Sequence, residues 1–167
     1  MTKQEFLAMS LPYGLHILNG KESDVVVGMV GDSVLSIFRG NFDNTWDITD
    51  VRPLLRPLSD LTKPIEHKGE KFVPIVELAK FLYKRISIAE SFKLIEDRVY
   101  FESISDNQFW YSKEMKCFCS MFENSDIPVH AQLQLFQQLL KWHFDIADLI
   151  SKGEAIDVNT LDINPYK

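Results

Sequence analysis

The stretch from Asp126 to Gly153, "DIPVHAQLQLFQQLLKWHFDIADLISKG", carries the strongest periodic signal in the chain. Asp126 and Pro128 read as a helix start, and Gly153 as a helix stop. On a wheel of about 100° per residue, its apolar side chains cover an arc of roughly 220°. A helix lying on the surface of a globular domain shows a stripe of only about 100°. The reading is therefore a helix of about 25 residues, roughly 37 Å long, buried round most of its circumference.

That helix decides how its polar residues are read. His143 falls near the middle of the apolar arc, and its neighbours three and four positions away are Leu139, Leu140, Ile146 and Ala147. None of them can ligate a metal. Asp145 lies about 200° away round the helix, towards water, and His130 stands roughly 20 Å along the axis. "KWHFDIAD" is thus read as buried helix, with His143 a neutral imidazole bonded to another element. The sharper alternative is a His143 that faces a pocket. Asp145 and Asp148 read as solvated.

Elsewhere, turn chemistry punctuates the chain. "TKQEFLAMSL" is a short helix, with Thr2 and Glu5 forming a capping box and Pro12 and Gly14 ending it. "LHIL", "SDVVVGMV" and "VLSIF", separated by "NGK" and "GDS", read as an antiparallel meander extending to Asp50. Pro53 and Pro57 push Arg52 and Arg56 towards extended geometry. "VPIVELAKFLYKR" is a second amphipathic helix, with Ile75, Leu78, Ala79 and Leu82 on one face. "SFKLIEDRVYFES" is a second hairpin, and "AIDVN" a last short strand. "QFWYSKEMKCFCSMF" reads two ways. As a strand it puts Met115, Cys117, Cys119 and Met121 on one side; as a helix it groups Met115, Phe118, Cys119 and Phe122. A hairpin turning at "SKEM" is preferred. Only the "NPYK" end suggests disorder.

The expected fold is one α+β domain over residues 1–167: antiparallel hairpins and a meander packed against a long, largely buried C-terminal helix and two shorter helices. Composition agrees with an ordinary globular chain, at 46% hydrophobic and 25% charged. A chain of 167 residues needs no covalent staple, and two cysteines are too few for a disulfide scaffold. The formal charge of −6 disfavours non-specific binding to nucleic acid or anionic lipid. No signal-peptide core or membrane-length apolar run is present, so a reduced, soluble, cytoplasmic protein is expected.

The candidates for chemistry are few. Cys117 and Cys119 have no second pair to complete a zinc site and are read as core residues. Arg52 and Arg56 could fork onto a carboxylate, a phosphate or a partner protein. Their plainer reading is a Pro-defined crossover that pairs with the chain's own acids. Asp43, Asp47 and Asp50 could gather a hard cation, but the EF-hand glycine and closing glutamate are absent. There is no P-loop, GxGxxG, GxSxG or HExxH. No cofactor, metal or catalytic residue is assigned.

Three stretches, "EFLAMSLPYGL", "LRPLSDLTKPIEHKGEKFVPIVELAK" and "WHFDIADLISKGEAIDVNTL", resemble segments of uncharacterised small proteins of Bacteroides-type gut bacteria, often found in prophage or other mobile-element regions. The resemblance implies no reaction and no site residue. Three expectations follow. The first is a non-enzymatic interaction or accessory protein of a mobile element, with an unidentified protein partner or a second copy of itself. The second is a small enzyme with a pocket at His143 or at the Asp43, Asp47 and Asp50 group. The third and weakest is a nucleic-acid binder using Arg52, Arg56, Lys63, Lys68 and Lys71, because residues 51–71 carry a net charge of only +2.

Overall fold

The computed structural model describes residues 1–19, 22–38, 41–83, 92–101, 108–122 and 125–167. The chain is mostly β: thirteen strands in three sheets, with three short α-helices, among the described residues. It divides into two compact units, one made of residues 1–58 and 139–167, the other of residues 59–138.

The first unit opens with α1 (Lys3–Ser10), capped by Thr2 and Glu5 in the expected reciprocal box. Gly14, at φ 69°, turns the chain out of the following 3-10 turn. The meander then runs through β1 (His16–Asn19), β2 (Glu22–Val30), β3 (Ser33–Phe38) and β4 (Asn41–Asp47). The two Arg-Pro pairs behave as expected: β5 (Arg52–Leu55) is extended and pairs antiparallel with β1. Far along the chain, β13 (Ile156–Asp157) joins β5 in parallel, completing the order β13-β5-β1-β2-β3-β4.

Strand alternation sends side chains to two faces of this sheet. Leu15, Ile17, Val26, Val34 and Leu55 pack with Phe6 and Leu7 of α1 and with Ala147, Leu149 and Ala155. On the other face, Leu18 and Leu54 pack with Ile156, Val158, Leu161 and Tyr166.

The second unit contains a small hairpin, β6 (Ile65–His67) with β7 (Glu70–Phe72), and α2 (Pro74–Leu82). Its main sheet has the order β12-β11-β10-β9-β8. "SFKLIEDRVYFES" is the hairpin β8 (Phe92–Ile95) and β9 (Arg98–Phe101). The ambiguous segment is strand: β10 (Gln108–Ser112) and β11 (Cys117–Phe122) pair antiparallel about "SKEM". One face gathers Val99, Phe109 and Phe118, with the Phe109 and Phe118 rings stacked at 5.5 Å and Phe136 against Phe118.

The long C-terminal helix is not formed, and the expected α+β class is corrected accordingly. Asp126 and Pro128, read as a helix start, lie in β12 (Ser125–Pro128), which pairs with β11. The helix α3 covers only Gln132–Lys141. It stops because His143 adopts φ 60°, while the His143 N–H donates to Leu140 O at 3.1 Å and the Phe144 N–H to Leu139 O at 3.0 Å. This is a Schellman stop with His143 in the left-handed position that glycine usually takes. The apolar residues beyond it are buried by a change of chain direction rather than by a wide helical face. Gly153, at φ 73°, closes a second turn of the same kind: its N–H donates to Ile150 O, and the Glu154 N–H to Leu149 O. "NPYK" is anchored, since Tyr166 is buried. No helix among the described residues is long and apolar enough to cross a membrane.

Candidate functional site

In the first unit, polar side chains from four separate stretches of chain meet on one face of the sheet. Leu54 and Arg56 point the same way because they are two residues apart on an extended strand. Immediately past β5, Arg56 bridges in parallel to Phe144: the Arg56 N–H donates to His143 O, and the Asp145 N–H to Arg56 O, both at 2.8 Å. This bridge carries His143 and Asp145 to the side of β5.

The centre of the cluster is Tyr166, only 4% exposed. Its hydroxyl donates to Leu54 O at 2.7 Å and accepts the His16 N–H at 3.1 Å. The ring stacks on the His143 imidazole at 3.9 Å and 18°, and meets the His16 ring edge-on at 5.2 Å. The Arg56 guanidinium carbon lies 5.8 Å from the same ring, and Arg56 Nε donates to Trp142 O at 3.2 Å. Burial pushes the Tyr166 phenol far above its ordinary range, opposed by the His16 N–H and the Arg56 charge. The phenol therefore stays protonated and donates. Burial pulls His16 below its usual value, opposed by the charge of Asp24.

Asp145 is buried, not solvated as the helical wheel placed it. One oxygen accepts the N–H groups of Ala147 at 3.3 Å and Leu149 at 2.9 Å, and the other that of Ile150 at 2.7 Å. The carboxylate organises the turn that replaces the expected helix. His143 is buried as expected, although in a helix stop stacked on Tyr166 rather than inside a helical face.

The other candidates are dispersed. Arg52 is exposed at the start of β5 and Arg56 is buried just past its end, so they present no common fork. Lys63, Lys68 and Lys71 belong to the second unit; Lys63 donates to Asp60 at 2.7 Å, and Lys68, at φ 52°, forms the turn of a hairpin. The side chain of Asp43 lies outside the described residues. Asp47 accepts the N–H and hydroxyl of Thr49 at 2.8 and 2.6 Å, which holds its carboxyl below the usual range, while Asp50 is exposed. Among the described residues, no three His, Cys, Asp or Glu side chains are grouped to hold a metal ion. Cys119 is fully buried, and burial, then the neighbouring Cys117 and Asp126, pushes its thiol up to about 12, too high for a nucleophile at neutral pH.

Two further features escaped the reading of the sequence. Tyr166 did so because its partners are remote: Leu54 is 112 residues away. The other is a buried chain in which Trp46 Nε1 donates to Ser36 Oγ at 3.0 Å and Ser36 Oγ to Asp24 at 2.9 Å. The alternation of "SDVVV" was the available signal, because Asp24 shares the inward side of β2 with Val26. Comparison with family models, with curated proteins and with solved structures gave no match.

At the surface of the second unit, β12 is the last strand of its sheet among the described residues. All four of its residues are exposed, with Ile127 at 41%, and Leu133 in the first turn of α3 is 63% exposed.

Proposed function

We propose that this chain is a non-enzymatic interaction protein that engages a protein partner through β12 and the start of α3. The observation that carries the reading is the combination of an unshielded terminal strand with the outward Ile127 and Leu133. A strand at the end of a sheet offers backbone donors and acceptors for an added strand, and exposed apolar side chains supply pockets or plugs beside it. Pro128 has no N–H, so pairing would rest on Ser125 to Ile127. The side chains best suited to chemistry, His143, Arg56 and Asp145, are engaged inside the first unit, which supports a binding role over a catalytic one. The three-segment resemblance favours a cytoplasmic accessory protein of a prophage or mobile element.

The test is affinity capture from a Bacteroides-type lysate, comparing wild type with an Ile127→Lys, Leu133→Glu double variant. Both sites are exposed, so thermal stability should stay within about 0.5 kcal/mol. A partner retained by wild type should be lost by the variant. Identical retained proteins in both samples would refute the reading.

A further inference from the structure

Among the described residues, β12 and β8 end the five-stranded sheet of the second unit, and the two ends are in phase with each other. Phe118 sends both backbone groups towards β12: its O accepts the Val129 N–H at 3.0 Å, and its N–H donates to Gln132 at 2.9 Å. Successive residues of a strand send these groups to opposite sides, and the registers from β12 to β8 run without a bulge. The phase therefore carries across the sheet. Ser125 and Ile127 bond towards β11, which directs the N–H and C=O of Asp126 outward. Lys93 and Ile95 bond towards β9, which directs those of Phe92 and Leu94 outward.

The side chains match as well. Ile127, Ser120, Phe109, Val99 and Leu94 stand in register across the five strands and share one face, so Asp126 and Lys93 share the other. Asp126 and Lys93 are exposed. Every neighbour is antiparallel, so in a sheet of five the two end strands point the same way. A second copy that continues the sheet in the same sense lays its β8 parallel to β12. In a parallel pair, a residue bonds to the two residues that flank the one across from it. The Asp126 N–H then meets Phe92 O, and the Leu94 N–H meets Asp126 O. This register sets Lys93 across from Asp126 at the strand spacing of about 4.8 Å, and Leu94 across from Ile127. A slip of one residue loses both bonds, and a slip of two separates the charges. Two copies joined through β12 alone, Ser-Asp-Ile-Pro, would bring carboxylate to carboxylate and no cation.

The Ile127 face also carries the helices, α3 through Phe136 against Phe118 and α2 through Tyr83 against Phe109. Each exposes a large apolar side chain, Leu133 on α3 and Phe81 on α2. We propose that β12 of one copy takes β8 of another in parallel, with Asp126 across from Lys93 and Ile127 across from Leu94. This rests on the partner-binding reading of β12 and makes the partner a second copy of the chain. Such a joint is heterologous, so each copy keeps one open end and assembly continues into a ring or a filament.

Sedimentation of the full chain tests the joint. Wild type should associate below about 1 mM and pass beyond a dimer. Asp126→Lys and Lys93→Asp are changes at exposed positions that leave the fold intact. Each sets like charges across the joint and should weaken association about tenfold. Mixed in equal amounts, the two variants have only opposite charges between them and should assemble as wild type does, in a 1:1 ratio. Wild type that stays monomeric at about 1 mM would overturn the joint. So would association that Lys93→Asp leaves unchanged, or a mixture no better associated than either variant alone. Any of these results leaves the partner reading standing on its own capture experiment, which Ile127→Lys with Leu133→Glu decides.

Discussion

Tyr166 packs against a titratable neighbour, His16. Its hydroxyl accepts the backbone N–H of His16, and the rings of the two residues meet edge to face. Burial disfavours the charged imidazole of His16, and nearby Asp24 only partly compensates. The folded pKa therefore lies below the unfolded one, so the unfolded chain binds more protons between the two values. His16 contributes its full stability above about pH 6.5, and that contribution falls as pH drops from there towards the folded value. Urea unfolding across this window should show stability declining on acidification, with a shallower decline in His16→Gln. An unchanged slope in the variant would assign the decline to other groups.

The residues from Trp142 to Gly153 show how a local pattern can be right in every apolar position and wrong in its geometry. A helix and a folded-back turn both bury alternating clusters of Leu, Ile and Phe. The distinguishing information is His143 at positive φ and Asp145 accepting three N–H groups. Asp145→Ala should cost about 3 kcal/mol, since it leaves buried N–H groups without their acceptor, and Asp145→Asn should cost less. Chemical denaturation checks the order. An Asp145→Ala variant as stable as wild type would contradict the role of the carboxylate. The hairpins at Glu96–Asp97 and at "SKEM", and the capped α1, were legible because their signals lie within a few residues of one another. The helix stop at His143 was not, because a glycine ten residues later offered a more conventional one. An apolar arc of roughly 220°, more than a helix in a small domain can cover, was itself a hint that the chain turns. The cluster was legible in part. Arg56 and His143 stood out separately, but nothing local in the sequence joins them to Tyr166.

Over the whole molecule, the first unit is assembled from both ends of the chain, with residues 59–138 between them. Its closing contacts span long separations: Ile156 pairs with Leu54, Phe144 bridges Arg56, and Tyr166 reaches Leu54 and His16. Tyr166→Ala should lower the stability of this unit by about 3–5 kcal/mol, the cost of removing a buried aromatic ring. Hydrogen exchange at the His16 amide should accelerate in step. Protection of that amide equal to wild type would show that the tyrosine does not fasten the sheet. Such remote pairing also places a demand on synthesis. At about 5–20 residues per second, roughly 5–20 s separate the emergence of β5 from that of β13. Throughout that interval the nascent β5 has one flank still waiting for its neighbour, and its best protection is the proline at position 53, which cannot donate to a stray strand.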